Sequence, residues 1–325
     1  MVGDVMLGRL VNEALRSRPP EFPRGDVLSL FHSSDWRFCN LECVVSDLVP
    51  DRLPPKIFHF RSDARNVAVL QAAGVDAVSC ANNHGLDFGR EAMLDMLRIL
   101  EDAGIAHAGA GSNLEEASQP ALTTTRGGSR VALIACTDNQ PDWAAGARKP
   151  GVYFVPADVD LADASGLLGL VDKTRRVADL VVVSLHWGAN WGYEPEAGHR
   201  ELARALVEMG AGVVFGHSCH VFRGVEVYRE APIVYSAADF VDDYAIDPVD
   251  RNDWSFVHLV ETWPGNRRLR LRPTMIENMH ARLAHGGEAT AIISRMSGLC
   301  YRLGTRLRVE GEEAVISLTP AAAGG

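Results

Sequence analysis

Residues able to bind a metal or move a proton recur in this chain at the ends of short apolar runs. They are Asp4 in GDVMLGR, Asn40 and Glu42 in NLE, Asn82, Asn83 and His84 in NNHGLDFG, His186 in SLHWG, and His217 and His220 in GHSCH. Loops that follow strand carboxyl ends are where layered α/β folds collect their sites. Carboxylate, amide and imidazole donors together suit a divalent cation, with Mn, Zn, Fe or Co as borderline ions and Mg or Ca favoured where oxygens dominate. The donor types leave the ion's identity, and one ion against two, open. GHSCH is the strongest single signal, because His217 and His220 are spaced to face one ion and the preceding glycine frees the backbone to turn.

Each motif also has a plainer reading. Asp4 alone could cap a helix, and Asp87 could cap the helix that begins near Gly89. Asn40 and Glu42 could form an ordinary turn, and His186 could be a satisfied core histidine. NNHGLDFG is harder to dismiss, since two amides and a histidine between an apolar strand and a helix are poor choices for packing alone. Cys219, among oxygen and nitrogen donors, reads as a small buried hydrophobe. His32, His59, His107, His199, His258, His280 and His285 read individually as packing or surface residues, with one of the last two able to reach the site. Trp143, Trp187 and Trp191 could line a groove or form core edges.

The elements that must position these residues follow from hydrophobic period. Val75 to Ala81 reads as a strand and Arg90 to Ala103 as a helix with Met93, Met96, Leu97 and Leu100 on one face. Leu180 to Leu185, Pro195 to Met209 and Ala211 to Phe215 read as a β-α-β unit. Trp36 to Cys39 reads as a strand that ends before Asn40. Ala121 to Cys136 reads as a hairpin across Gly127 and Gly128, Val225 to Val234 and Phe256 to Met275 as consecutive strands, Glu288 to Leu303 as a helix, and Leu307 to Leu318 as a last hairpin across Gly311. The expected class is α/β with parallel and antiparallel pieces.

The chain has 325 residues, of which 47% are hydrophobic and 23% charged, so a large core and one domain over residues 1–325 are expected, with a flexible tail at 320–325. A formal charge of -10 opposes a nucleic-acid footprint. Arg267, Arg268, Arg270 and Arg272 read as a solvated stripe on a strand. Six cysteines without a CxxC pair point to a reducing cytoplasm. No apolar run reaches the roughly 18 to 20 residues of a membrane span, and no signal segment is read. Only Met1 and Val2 precede GDVMLGR, which reads either as a shortened first strand or as a late start.

GDVMLGR, NLE, NNHGLDFG, SLHWG and GHSCHVFRGVEVY, in that order, resemble the CapA family named for poly-γ-glutamate capsule synthesis, within the calcineurin-like metallophosphatase superfamily. The likeness runs from Gly3 into the strands after Asp253. It implies a four-layer α/β/β/α sandwich with mixed sheets. It also implies Asp4 and Glu42 as carboxylate ligands, Asn83 as an amide ligand, His186, His217 and His220 as imidazole ligands, and His84 as the proton-transferring histidine. Asn40, Asn82, Asp87 and Trp187 would support these groups or touch substrate. Three departures bear on the chemistry. Asp4 is followed by Val5 and Met6 where the superfamily carries Asp-x-His, so one imidazole is missing and a single strong metal site is expected. Two residues separate His217 and His220 instead of one. YSAADFVDDY replaces a glycine-containing segment, which makes Asp239 and Asp243 candidates to support the ligands. Capsule-synthesis members often carry an N-terminal membrane anchor, and none is read here.

Three functions compete on this reading. Epimerisation at a peptide alpha carbon, as in ribosomal or lasso-type natural products, stands first: a cation would stabilise the enolate-like charge while His84 and Asp4, or a neighbouring group, remove and return the proton. Metal-dependent hydrolysis or transfer at an amide or phosphoester stands second. A non-catalytic partner in poly-γ-glutamate synthesis or export stands third. The substrate is expected to be a peptide or glutamyl chain, and the oligomeric state is not legible.

Overall fold

The computed structural model describes residues 1–157, 162–263 and 265–319, and the tail expected at 320–325 lies outside them. Five short strands pair in parallel in the order Asp239–Val241, Val2–Val5, Phe38–Leu41, Ala77–Ser79 and Ala106–Ala108. A second sheet runs Val225–Tyr228, Ala231–Val234, Val213–His217, Leu180–His186, Arg130–Thr137 and Ala121–Thr124, its inner four strands parallel and its outer two antiparallel. Parallel strands survive only where both faces are covered, which accounts for their near-continuous apolar runs.

Three packing zones define the layers. On the outer face of the first sheet, Val2, Val5, Leu41 and Val78 pack with Val69, Met93 and Met96 of its covering helices. Between the sheets, Phe38, Ala77 and Ala108 meet Leu133, Val182 and Phe215. The Phe38 and Phe215 rings meet edge to face at 5.6 Å, a contact worth about 0.5–1.5 kcal/mol beyond simple burial. On the far side, Ile134, Val183 and Val214 pack against Leu167 and Val171 of helix Ala162–Thr174 and Leu202 and Leu206 of helix Ala197–Met209. The fold is therefore the four-layer α/β/β/α sandwich, with one sheet parallel throughout and the other mixed.

An antiparallel sheet of Trp254–Trp263, Asn266–Glu277, Glu313–Ser317 and Arg308–Glu310, with His280–Leu283 beside it, packs with helix Gly286–Arg302 into the same inter-sheet core. Its arginine stripe is no plain solvated face: Arg268 and Arg270 pair with Glu261, Arg270 with Glu313, and Arg272 with Glu312. Among the described residues, no helix is long and apolar enough to cross a membrane.

Two local features set up the site. Asn40 lies within its strand, not after it, so Phe38 and Asn40 share the inner face while Cys39 and Leu41 face the helices. Asp4 likewise lies within strand Val2–Val5, which rules out the helix-cap reading. A simple alternation would put Val2 and Asp4 on one face, yet Val2 and Val5 both pack outward. A register shift between Val2 and Asp4 resolves this, with the extra residue, Gly3, re-aiming the carboxylate inward.

Candidate metal centre

The carboxyl ends of the two sheets meet around Asp4. In the first sheet, Asp4 is the register partner of both Asn40 and Asp239. In the second, His186 and His217 are register partners and each ends its strand. The backbone N–H of Ser218 donates to Asp4 Oδ2 at 3.2 Å, and His217 Nδ1 lies 3.4 Å from Asp4 Oδ1. Ser218 takes φ +98°, a costly left-handed conformation for a serine, at the turn that brings the second sheet to this carboxylate. His186 and His217 point Nδ1 at Nδ1, 2.9 Å apart, while His217 Nε2 meets Ser184 Oγ at 2.7 Å. Burial pushes the His217 pKa down to about 3 and holds His186 well below the ordinary value, with the neighbouring His217 adding to the effect. Both rings are thus neutral, the form a metal requires.

A second group forms on the other side of Asp4. Asp4, Glu42 and Asp239 each offer an oxygen within 4.8 Å of the others, and the same limit holds for the donors of Asp4, His186 and His217. Asn82 Nδ2 donates to Asn40 Oδ1 at 3.0 Å and Asn40 Nδ2 to Asp4 Oδ1 at 2.8 Å, a relay of amides that orients the central carboxylate. Burial raises the pKa values of Asp4 and Asp239, and burial followed by the Asp4 charge raises Glu42 well above its usual range. Three carboxylates so placed are costly unless a proton or a cation joins them. Glu42 Oε2, His186 Nε2 and Asn83 Oδ1 are buried and have no hydrogen-bond partner among the described residues. Abutting ring nitrogens, clustered carboxylates and orphaned donors together fit a divalent cation.

Residues 1–244 match the family model of the bacterial capsule synthesis protein PGA_cap. The chain belongs to this family. It is 32% identical over 317 residues to the probable polyglutamine synthesis accessory protein of Mycobacterium tuberculosis, covering 93% of this chain and 82% of that protein. It is 30% identical to the PGA biosynthesis protein CapA of Bacillus subtilis (strain 168), covering 74% of this chain and 62% of that one. The capsule biosynthesis protein CapA of Bacillus anthracis is also 30% identical, with 75% of this chain and 59% of that protein covered. The chain thus spans about six-tenths of the two Bacillus proteins.

In this PGA_cap chain His84 borders the carboxylate group. Its Nε2 lies 3.8 Å from Glu42 Oε1, its Nδ1 2.6 Å from Asp87 Oδ2, and its ring stacks on Phe60 at 3.9 Å. Burial lowers its pKa against the opposing pull of Asp87. Asp87 does not cap the following helix, whose first residue is preceded by Phe88 without a side-chain cap. Its carboxylate instead holds His84, the Phe60 N–H at 2.8 Å and Lys56 Nζ at 2.7 Å. Lys56, absent from the sequence-derived set, also donates to the Asn83 carbonyl and lies over the Trp143 ring. It sits in an irregular, proline-rich loop, so no periodicity marked it.

His220 stands apart from the imidazole pair. Its Nδ1 lies 3.1 Å from both oxygens of Asp239. Burial works against its charge, but the carboxylates of Asp239, Asp4 and Asp242 outweigh it and raise its pKa to about 9. This geometry holds His220 as a charged partner of Asp239, with Tyr244 and Trp191 edge-on to its ring. Trp187 faces no groove: it is buried, its indole N–H donates to the Tyr235 carbonyl at 2.9 Å, and it stacks on His199. Asp243 accepts from the Leu10 N–H at 2.9 Å and pairs with Arg9. His280 and His285 engage Phe22 and Glu312, away from these residues.

Proposed function

We propose that this chain is a metal-dependent enzyme that hydrolyses or transfers an amide bond of a glutamyl chain in polyglutamate synthesis. The observation that carries this reading is the membership of Asp4 in two adjacent buried donor groups, one rich in imidazole and one in carboxylate. His186 and His217 would hold one cation with Asp4, and Glu42 and Asp239 a second, so Asp239 supplies a donor where the first motif lacks its histidine. Divalent cations at such a pair polarise a carbonyl and lower the pKa of water. His84, whose tautomer Asp87 sets by taking the Nδ1 proton and whose loop Lys56 clamps, is placed to accept a proton from the attacking water at Nε2 and pass it to the departing amine. The glutamyl substrate leans on the relatives, whose names tie them to polyglutamine synthesis and PGA biosynthesis. All six cysteines are free and buried, which suits a cytoplasmic setting.

The test is release of new amino groups from an oligo-γ-glutamate by protein reconstituted with Mn²⁺ or Zn²⁺. The activity should vanish on chelation and fall by about 10²–10⁴ in His84→Ala. No cleavage or transfer of any glutamyl amide by the metal-replete protein would overturn the reading.

Epimerisation ranks second, favoured by one observation: His84 and His220 border the carboxylate group on two sides, bridged by the Phe60 and Tyr244 rings 5.8 Å apart. Such a pair could remove and return an alpha proton. Solvent deuterium entering one alpha carbon of an intact peptide would move this reading ahead.

A further inference from the structure

Arg9 closes the GDVMLGR motif, and neither the donor groups nor His84 uses it. It lies just beyond Asp4 on the chain, as Asp243 lies just beyond Asp239 on the neighbouring strand. The pairing that joins Asp4 to Asp239 therefore also brings Arg9 to Asp243, with Nε 3.3 Å from Oδ2. The guanidinium carbon lies 5.7, 5.8 and 6.0 Å from the ring centres of Phe58, Phe60 and Tyr244. Phe60 stacks on His84 and Tyr244 meets His220 edge-on, so Arg9 rests on the aromatic bridge between the two histidines that flank the carboxylates.

Asp243 holds this guanidinium by its Nε edge, and the two Nη atoms make no hydrogen bond among the described residues. The Arg9 side chain is 38% exposed while that of its anchor Asp243 is fully buried, so the guanidinium is held from the protein side and stays partly open to solvent. Its backbone takes φ +50°, a left-handed conformation that a non-glycine residue holds only when its surroundings impose it. A guanidinium keeps its proton at any working pH and presents its N–H groups in a planar fork that matches an oxyanion bidentately. On a chain of net charge -10, beside clustered carboxylates, an anionic substrate needs such a cation at the approach to the centre.

We propose that Arg9 is the substrate-anion residue of this site, its two Nη atoms taking a carboxylate of the glutamyl chain next to the amide held at the centre. This rests on the amide-acting reading above, and its test uses binding instead of turnover so that the two can fail separately. Calorimetric titration of Mn²⁺-reconstituted protein would use three probes: a tri-γ-glutamate, the same peptide with its α-carboxylates converted to carboxamides, and inorganic phosphate. Wild type should bind the acid peptide at least tenfold more tightly than the carboxamide. Arg9→Gln should reduce that preference to less than threefold at unchanged metal content and melting temperature, and Arg9→Lys should retain part of it. Equal binding of the two peptides by wild type, failure of both to bind, or full discrimination in Arg9→Gln would overturn the assignment. Phosphate binding tighter than the acid peptide and lost in Arg9→Gln would overturn it in favour of a phosphate ligand. Bound but uncleaved peptide would instead count against the amide-acting reading alone.

Discussion

Asp239 and His84 carry separable duties, and substitution should divide them. Asp239→Ala removes an oxygen donor from the carboxylate group while leaving Asp4, His186 and His217 together. Elemental analysis after reconstitution should show one cation fewer than wild type, or one held at least tenfold more weakly; unchanged stoichiometry and affinity would remove Asp239 from the centre. His84→Ala should lower kcat by about 10²–10⁴ at nearly constant KM, as expected when a proton donor is lost but binding is not. His258 offers a third test, of stability. Its ring is buried among Phe215 and Phe256, both ring nitrogens lack hydrogen-bond partners among the described residues, and burial lowers its pKa from 6.5 to about 3. The unfolded chain takes up this proton near pH 6.5 and the folded chain only near 3, so stability is complete above the first value and falls as pH drops between them. The slope is at most about 1.4 kcal/mol per pH unit for this one group. Urea denaturation of metal-free His258→Leu at pH 7, 5.5 and 4.5 should show a flatter acid limb than wild type, and identical limbs would dismiss the assignment.

At the element scale, the register shift at Gly3 is what turns Asp4 toward the second sheet. A Cβ added there would lie 1.9 Å from the Ala238 carbonyl oxygen, across the contact in which the Asp4 N–H donates to that same oxygen. Gly3→Ala should therefore force apart strands Val2–Val5 and Asp239–Val241, costing about 1–3 kcal/mol in urea denaturation and weakening metal binding. Wild-type stability together with wild-type metal content would show that the strands have room to move. Gly298 gives the contrast, since it lies in helix Gly286–Arg302 and an added Cβ meets nothing within 4 Å among the described residues. Gly298→Ala should stabilise the chain by about 0.4–1 kcal/mol. Most elements were legible from period alone: the helix expected from Arg90 to Ala103 runs Gly89–Asp102, and the β-α-β unit and the hairpins fall where the turn glycines put them. Strand Asp239–Val241 was not legible, because three residues among aspartates carry no usable period.

At the scale of the whole molecule, the centre joins the two sheets, so cation binding should stabilise the entire sandwich. A cation at a hundred times its Kd adds about 2.7 kcal/mol to a fold that alone can hold it. Thermal denaturation should show a higher Tm for Mn²⁺- or Zn²⁺-loaded protein than for chelated protein, and the difference should shrink in His217→Ala. A Tm indifferent to cation would show that these donor groups hold none. His217→Ala also removes the ring that Ser184 orients, so loss of folding must be read against His186→Ala, whose ring makes no bond to Ser184.

The sequence by itself determined the donor types, their places at strand ends, the layered class and the family likeness. Those properties are written locally, in side-chain chemistry and in runs whose period reports which face is buried. Tertiary structure alone decided that Asp239 stands beside Asp4, that His220 turns to Asp239 instead of joining His186 and His217, and that Trp187 packs inward. Each depends on which distant strands pair and in what register, and one residue of slip reverses the face a side chain occupies. No local pattern encodes that choice, because it is made by the fit of the two sheets' apolar faces to each other and to their helices.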